Sequence, residues 1–340
     1  LELEPFQPAM AQVGPSVIRF RARPLGNQSL EGVARRAADL GREIGAAEGV
    51  LVAQEPYYIT IDVPRREREV IRFRDYAHLL GEPEPGALKF LVGMAASGEV
   101  TVADLARLPH LLIAGATGSG KSVFLRALLC SLLEQHGAME LSILLVDPKQ
   151  IDFLPFEDLP HLADGRIVFD PAEAVALLGE TIDREIERRR PMLKRAGVTN
   201  VLEYYEAGGS PVELPQMVIV VDEFADLAST LGRGERAEFM SLIQRYGQLT
   251  RAFGIYLVLA TQRPSVQVIT GDIKANLTAR VALKVQAPQD SVTILGHGGA
   301  ESLRDKGDLL FEHGGRSERL QGFMVTPQDV AAAVSRWSRP

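Results

Sequence analysis

The stretch HLLIAGATGSGKSVFLRALLCSLL, residues 110–133, carries the strongest information on the fold of this chain. Four apolar residues, 111–114, lead into three glycines within positions 115–120, and Lys121 and Ser122 then open an apolar segment with helical spacing. The pattern G-x-x-x-x-G-K-S between a strand and a helix is typical of a loop whose backbone N–H groups hold phosphate oxygens. A glycine-rich turn without a ligand is the weaker alternative, because both flanks match. We therefore predict a P-loop in an α/β fold.

The P-loop predicts the contacts of a nucleotide, with ATP and Mg²⁺ as the ligands. Lys121 is expected to reach the β- and γ-phosphates, and the hydroxyl of Ser122 is expected to hold Mg²⁺. The full set of expected nucleotide contacts is Gly115, Ala116, Thr117, Gly118, Ser119, Gly120, Lys121, Ser122 and Val123.

A second polar group lies in MVIVVDEFADL, residues 217–227, where Asp222 and Glu223 follow an apolar run. A buried strand would emerge there at the phosphate-binding edge of a sheet. Mg²⁺ prefers oxygen ligands, so Asp222 is expected to hold or orient the ion, and Glu223 to act as the general base on the attacking water. An acidic pair alone is equally typical of a cap or turn, and the P-loop earlier in the chain favours catalysis.

A third polar group ends the apolar stretch LVLATQRPS, residues 257–265. An amide at that strand end can hydrogen-bond both the γ-phosphate and the water, so Gln262 is expected to report the state of the nucleotide. The alternative is a loop amide that is satisfied by its neighbours.

Composition places bounds on the class of protein. Of 340 residues, 46% are hydrophobic and 24% are charged, which is typical of a soluble globular protein longer than one average domain. The net charge of −7 gives no overall electrostatic case for nucleic acid, so such contacts must come from local basic loops. No apolar run reaches the roughly 18–20 residues of a membrane helix. The single cysteine, Cys130, excludes an internal disulfide, fits a reducing cytoplasm and is expected in the core.

Two domains are predicted, a small α+β domain at 1–88 and an α/β domain at 89–340. The expected elements of the first are an irregular lead-in at 1–15, strands at 16–24 and 57–64, and a helix at 30–46. In the second, buried strands alternate with helices, which predicts a mainly parallel sheet covered on both faces. Its expected strands are 111–114, 142–147, 218–222, 255–262 and 279–285.

Three charged or glycine-rich segments are predicted at the surface. Arginines between 65 and 74 alternate with glutamates, which favours a solvated charged face over a nucleic-acid patch. The segment DREIERRRPMLKRAG, residues 183–197, is expected to form an exposed helix interrupted by Pro191. Residues 207–215 are expected to form a flexible loop.

Five segments in this order resemble the motor of the FtsK/SpoIIIE DNA translocases, and the resemblance covers nearly the whole chain. The segments are GATGSGKS, LLVDPKQIDF…LPHL (144–162), VDEFADL, RAFGIYLVLATQRPSVQVITGDIKAN (251–276) and GAESLRDKGDLLF (299–311). The resemblance implies a RecA-like ATPase in the second domain and the α domain of that family in the first. It also implies a ring of six copies that pulls double-stranded DNA through its channel by ATP hydrolysis, with a role in chromosome segregation.

In such a ring ATP lies between subunits, and an arginine of the neighbour completes the site. The family position of this arginine finger matches Arg251, and Arg280 is the second candidate; a structural salt bridge is the alternative for either. Arg263 and Lys274 match the DNA-facing loops of the family, where phosphate contacts suit a motor that works on any sequence.

The chain departs from the family pattern in its second DNA-facing loop, QAPQDSVTILG (286–296). Pro288 and Val292 occupy the places of basic residues, so this loop is expected to bind DNA weakly. The family's membrane-spanning segment and winged-helix module have no counterpart here, so the chain is either an excised piece or a shortened member.

Three alternative functions stay open at this point. A conjugative DNA pump of the same superfamily would share every hydrolytic residue. A type VII protein-secretion ATPase typically contains several such ATPase units in one chain, whereas this chain has one P-loop. A scaffold that binds ATP without turnover is disfavoured by Glu223.

Overall fold

The computed structural model describes residues 3–5, 11–25, 29–43, 45–46, 50–55, 57–108 and 110–338, which form two β-sheets and their covering helices. Part of the predicted lead-in lies outside these residues. The rest of it is not wholly irregular, because two short strands within it pair antiparallel with the strand that follows. The predicted domain boundary after residue 88 stays a prediction.

The first sheet has five antiparallel strands in the order β1-β3-β5-β4, with β2 also paired to β3. Val33 of helix α1 packs against Ala22, Ile59 and Ile61, which gives this sheet a small core of its own. The predicted strands and helix are confirmed, and β4 was not predicted. The elements are β1 (Leu3–Pro5), β2 (Gln12–Val13), β3 (Val17–Pro24), α1 (Leu30–Glu43), β4 (Leu51–Gln54) and β5 (Ile59–Pro64).

The second sheet has nine strands in the order β7-β6-β14-β13-β12-β8-β11-β10-β9. The five strands from β12 to β9 are parallel, as the buried apolar runs predict, and four antiparallel strands extend the sheet at the β12 side. Its strands are β6 (Lys89–Ala95), β7 (Val100–Asp104), β8 (Leu111–Ala114), β9 (Leu141–Val146), β10 (Gln216–Val221), β11 (Ile255–Thr261), β12 (Ala279–Leu283), β13 (Asp308–His313) and β14 (Arg316–Gln321).

Helices cover both faces of the parallel half, so alternate residues of each strand enter different cores. In β8, Leu111 and Ile113 join one apolar cluster, whereas Leu112 and Ala114 join the other. The helices are α2 (Phe73–Tyr76), α3 (Lys121–Gln135), α4 (Pro171–Ala196), α5 (Val201–Glu206), α6 (Phe224–Thr230), α7 (Arg233–Leu249), α8 (Gly271–Asn276), α9 (Pro288–Leu295) and α10 (Pro327–Ser335). Among the described residues, no helix is long and apolar enough to cross a membrane.

Helix α4 corrects one prediction, because Pro191 does not interrupt it. The helix continues to Ala196 and ends at Gly197, which adopts the left-handed conformation with φ 72°. Proline removes one backbone N–H, and the carbonyl that would accept it belongs to Glu187 on the exposed side of the helix, where water can replace the lost bond. The predicted loop at 207–215 is confirmed as a segment without helix or strand.

A chain of buried charges joins the two sheets. Arg19 of the first sheet donates to Asp62 at 2.7 Å, and Arg319 of the second sheet lies 3.8 Å from Asp62 and donates to Asp308 at 2.6 Å. Three of the four side chains are at most 3% exposed. The Arg319–Asp62 pair connects the two sheets, and removing either member would leave a buried charge without one of its partners.

The arginine-rich run at 65–74 is not simply a solvated face. Arg65 donates to the carbonyl of Gly14 at 2.9 Å, and Arg68 donates to the carbonyl of Asp305. These two bonds tie the segment between the sheets to both of its neighbours. Cys130 is fully buried, as predicted, and burial raises its pKa to about 12, so its thiol is an unreactive core group.

Candidate nucleotide site

The P-loop joins the end of β8 to the start of α3, and its glycines are required by close approach. A Cβ on Gly115 would lie 2.6 Å from Oγ of Ser119, and one on Gly120 would lie 2.7 Å from the backbone nitrogen of Gly307. Gly120 also has φ 108°, which other residues rarely adopt. The loop lines a cavity of about 920 Å³, large enough for a nucleotide. The structure thus places at the mouth of α3 a cradle of the kind that the sequence predicts.

The P-loop lysine is buried among carboxylates. Lys121 donates to Asp222, and its Nζ lies 2.9 Å from Oε1 of Glu223. Burial alone would lower the pKa of Lys121, but the two carboxylates outweigh burial and raise it. Burial raises the pKa of Asp222 to about 6, and the ammonium of Lys121 opposes that rise. The three predicted charged residues therefore meet at one point.

Glu223 is held in an unusual backbone conformation. It is the N-cap of α6 and has φ 52°, in the left-handed region that non-glycine residues seldom occupy. The backbone N–H of Gln262 donates to its Oε2 at 3.1 Å, and Oγ1 of Thr117 donates to the side-chain oxygen of Gln262 at 2.7 Å. Gln262 therefore connects the P-loop to the predicted base, which is the position that a reporter of nucleotide state requires.

Sequence reasoning missed the contribution of the loop after β9. The buried carboxylate of Asp147 accepts five backbone N–H bonds, from residues 149 to 153, at 3.0–3.2 Å. This loop brings Nζ of Lys149 to within 3.4 Å of Glu223 and places Asp152 2.7 Å from Oγ of Ser122. The motif LLVDPKQIDF supported the family resemblance. Lys149 and Asp152 within it were a sequence signal for these two contacts.

The far wall of the cavity was also missed. It is formed by the segment between the sheets and by residues near β13 and β14, including Arg68, Arg304, Lys306, Phe323 and Met324. Backbone bonds fix this wall: the N–H of residue 307 donates to the carbonyl of residue 119 at 2.7 Å, and the N–H of residue 73 donates to the carbonyl of Met324 at 3.0 Å.

The two finger candidates differ in their surroundings. Arg280 donates to three backbone carbonyls, those of Leu277, Leu295 and Lys274, at 3.0–3.3 Å, which favours a structural role for it. Arg251 is exposed at the amino end of β11, and none of the described residues forms an ion pair with it. The seven residues of β11 span about 20 Å, so Arg251 lies on the edge of the sheet opposite to its own P-loop.

The two predicted DNA contacts are not brought together. Arg263 is exposed directly after β11 and lines a second, polar cavity with Lys149 and Gln262. Lys274 is half-buried near the end of α8, where its carbonyl accepts the bond from Arg280 at the start of β12. The connection from β11 to β12 therefore carries one basic residue at each edge of the sheet.

The residues present fit Mg²⁺ bound in the manner of a P-loop. No group of three or more His, Cys, Asp or Glu side chains in the described ranges could hold a metal alone. A P-loop does not require one, because Mg²⁺ takes one or two protein oxygens together with phosphates and waters. Ser122 and Asp222 supply such oxygens, and Oδ2 of Asp222 is buried and accepts no hydrogen bond from the described residues.

The parallel sheet, the phosphate cradle and the buried Lys121–Asp222–Glu223 cluster together define a P-loop ATPase. The sequence profile of the FtsK/SpoIIIE family matches residues 81–266, more than half of the chain, and the chain belongs to this family. A DNA translocase FtsK of Clostridium tetani is 36% identical over 334 residues and 94% of this chain, and one of Pseudomonas syringae is 35% identical over 95% of it. The chain spans only 44% and 43% of the length of these two relatives.

Solved structures agree with the fold. The pCW3 conjugation coupling protein TcpA, in a monomer form with ATPγS, is 25% identical with a TM-score of 0.68; the alignment covers 98% of this chain and 92% of that one. The cytoplasmic domain of the type VII secretion ATPase EccC of Thermomonospora curvata is 27% identical with a TM-score of 0.65, over 78% of this chain and 33% of that one.

Proposed function

We propose that this chain is an ATP-driven double-stranded DNA translocase motor that works as a ring of six copies in the cytoplasm, in chromosome segregation. The observation that carries the proposal is the match of 94–95% of the chain to proteins named DNA translocase. A match of this extent takes in the N-terminal sheet, which we assign to a domain at 1–88, as well as the ATPase sheet of 89–340.

The geometry supports hydrolysis by named residues. Lys121 would leave its carboxylate partners to bind the β- and γ-phosphates, and Glu223 would then polarise the attacking water. Mg²⁺ on Ser122, oriented by Asp222, would neutralise charge on the same phosphates. Gln262 contacts both the P-loop and Glu223, so a change at the γ-phosphate would alter the start of the connection that carries Arg263 and Lys274.

A ring explains the place of Arg251. Because it lies about 20 Å from its own P-loop along β11, it can complete only a site on another copy. Six is the number that the family resemblance implies.

A conjugative DNA pump is the second candidate function. It is favoured by the TcpA alignment, which covers 98% of the chain, whereas the EccC alignment covers 78%. The difference in coverage favours a DNA partner over a polypeptide, and it does not separate segregation from conjugation.

The test combines ATP hydrolysis with movement. Purified protein is expected to hydrolyse ATP slowly alone and faster with long duplex DNA, and to displace a triplex-bound strand from that duplex. Duplex that leaves the rate unchanged, together with stimulation by a secreted polypeptide, would overturn the translocase in favour of a secretion ATPase. Particle images of the assembled protein test the ring, which must enclose a hole wide enough for a double helix.

A further inference from the structure

Ser122, the expected Mg²⁺ ligand, has an unexpected partner. Its Oγ donates to Oδ2 of Asp152 at 2.7 Å, whereas Asp222, the carboxylate predicted to orient the ion, accepts from Lys121 instead. A serine hydroxyl has one proton to donate and two lone pairs to offer. When the proton points to Asp152, the lone pairs of Oγ face away from it and are available to a cation.

Asp152 is itself held in place from two sides. Nη2 of Arg126, one turn further along α3 than Ser122, lies 3.4 Å from Oδ1 of Asp152, and the backbone N–H of Asp152 donates to Asp147 at 3.0 Å. Its side chain is 16% exposed. Arg126 of α3 therefore holds the carboxylate of Asp152, and the loop after β9 holds its backbone.

We propose that Asp152 is a positioning residue of the Mg²⁺ site, which acts by accepting the hydrogen bond of the Ser122 hydroxyl and so directing a lone pair of Oγ to the ion. Groups that orient metal ligands in this way commonly change metal affinity by about 10–100-fold when they are removed. The buried Oδ2 of Asp222, which accepts no hydrogen bond from the described residues, is a second oxygen that could serve the ion. The inference rests on the proposed nucleotide function and adds a residue to it.

The test measures binding of a fluorescent ATP analogue, in EDTA and across a Mg²⁺ titration, on the full chain. We expect Asp152→Ala to raise the Mg²⁺ concentration at half-saturation by about 10–100-fold. Its affinity for the analogue in EDTA is expected not to fall, because a negative charge near the phosphates has been removed. Asp152→Glu keeps a carboxylate that can accept the hydrogen bond of Ser122, and it is expected to recover part of the Mg²⁺ affinity.

A double-mutant cycle separates positioning from general damage. If Asp152 acts through the serine, then Asp152→Ala adds no further shift of the Mg²⁺ midpoint in a Ser122→Ala background. Asp158→Asn, an exposed acid in the same segment, is the matched control and should leave both binding curves unchanged.

The outcomes are distinguishable. Wild-type protein that binds no analogue with or without Mg²⁺ overturns the proposed function and this inference with it. Wild-type binding that depends on Mg²⁺, with an unchanged midpoint in Asp152→Ala or with additive shifts in the cycle, overturns the inference alone. Equal weakening with and without Mg²⁺ also overturns it, because damage to the cradle explains that result.

Discussion

The two edges of the parallel sheet carry buried polar groups of different kinds. At the carboxyl edge, Asp222 and Glu223 lie in a fully buried charged cluster, and Oδ2 of Asp222 accepts no hydrogen bond from the described residues. At the amino edge, the buried His110 uses both ring nitrogens: Nδ1 accepts the N–H of Leu257 at 3.0 Å, and Nε2 donates to the carbonyl of Gly247 at 3.1 Å.

A second buried polar side chain, that of Arg189, lies at the amino edge, and its Nη2 has no hydrogen-bond partner among the described residues. Arg189 of α4 is 0% exposed and donates to Glu185 at 2.9 Å and to the carbonyl of Phe253 at 2.7 Å. That carbonyl belongs to the 3₁₀ turn that presents Arg251. The amino edge therefore presents one arginine on a turn held by a buried polar side chain, whereas the carboxyl edge holds the P-loop and the Lys121–Asp222–Glu223 cluster.

The strongest loss of activity is expected for Arg251, if this arginine at the amino edge of one copy completes the nucleotide site at the carboxyl edge of another. Arg251→Ala is expected to lower ATP turnover by about 10³–10⁵-fold, the range for loss of an arginine finger, with binding of the nucleotide retained. Mixing Arg251→Ala subunits with Lys121→Ala subunits should restore part of the activity, because each supplies what the other lacks. Turnover is measured by phosphate release at fixed total protein.

Arg233→Ala is the matched control for Arg251, since it removes an exposed arginine from the opposite end of α7. It should leave turnover unchanged. If the mixed protein recovers no activity, the nucleotide site is not shared between copies. The amino edge of one copy would then have no part in hydrolysis at the carboxyl edge of another.

A change confined to the carboxyl edge is expected to lower turnover somewhat less. Glu223→Gln keeps the shape of the side chain and removes the base, so turnover should fall by about 10²–10⁴-fold while bound ATP is retained. Single-turnover hydrolysis together with nucleotide binding measures the two properties separately. Normal turnover in this variant would remove Glu223 from the mechanism.

The features predicted from sequence are those that local pattern fixes. The P-loop from Gly115 to Ser122 requires glycine where other atoms approach closely, and the five parallel strands are mostly apolar because both of their faces are buried. Both patterns are visible in local sequence, although the close approach to Gly120 is made by Gly307, far along the chain. The pairing of Asp222 and Glu223 with the P-loop was also predictable, since the carboxyl ends of parallel strands meet at one edge.

What could not be predicted depends on contacts between distant segments. Asp152 contacts Ser122 only because Asp147 bends the loop after β9 back towards α3. Strands β6, β7, β13 and β14 form the antiparallel half of the sheet, and polar residues interrupt the apolar pattern of β7, β13 and β14. The role of Arg68 in the cavity wall required knowledge of how the two sheets lie against each other.

A more modest effect, on stability and not on chemistry, is expected from His110. Burial lowers its pKa to about 4, and protonation would place a second donor against the N–H of Leu257. Because the folded pKa lies below the unfolded value of about 6.5, the neutral imidazole stabilises the fold fully above pH 6.5, and this is lost as pH falls towards 4. The loss amounts to about 3 kcal/mol in the free energy of unfolding.

Urea unfolding between pH 8 and pH 4.5 measures the contribution of His110. His110→Gln should be less stable at every pH, but its free energy of unfolding should fall less steeply with acidification. The remaining fall is due to His136 and His161, whose pKa values burial also lowers. His78→Gln, at an exposed histidine, should follow the wild type. An unchanged acid dependence in His110→Gln would show that the amino edge does not depend on this ring.

The weakest expected effect is on DNA binding, and its measurement tests whether DNA lies along both edges of the sheet. Arg263 lies at the carboxyl edge and Lys274 near the amino edge, so each substitution by Gln should lower the salt slope of duplex binding by about one for each phosphate that the side chain neutralises. The slope is taken from affinity measured across a range of salt concentrations, with Lys194→Gln, at an exposed position of α4, as the control. A change for Arg263 alone would confine DNA to the nucleotide edge. Equal changes for both would mean that the connection from β11 to β12 lies along the duplex for its whole length, so that movement of Gln262 is delivered to the DNA through a single continuous segment.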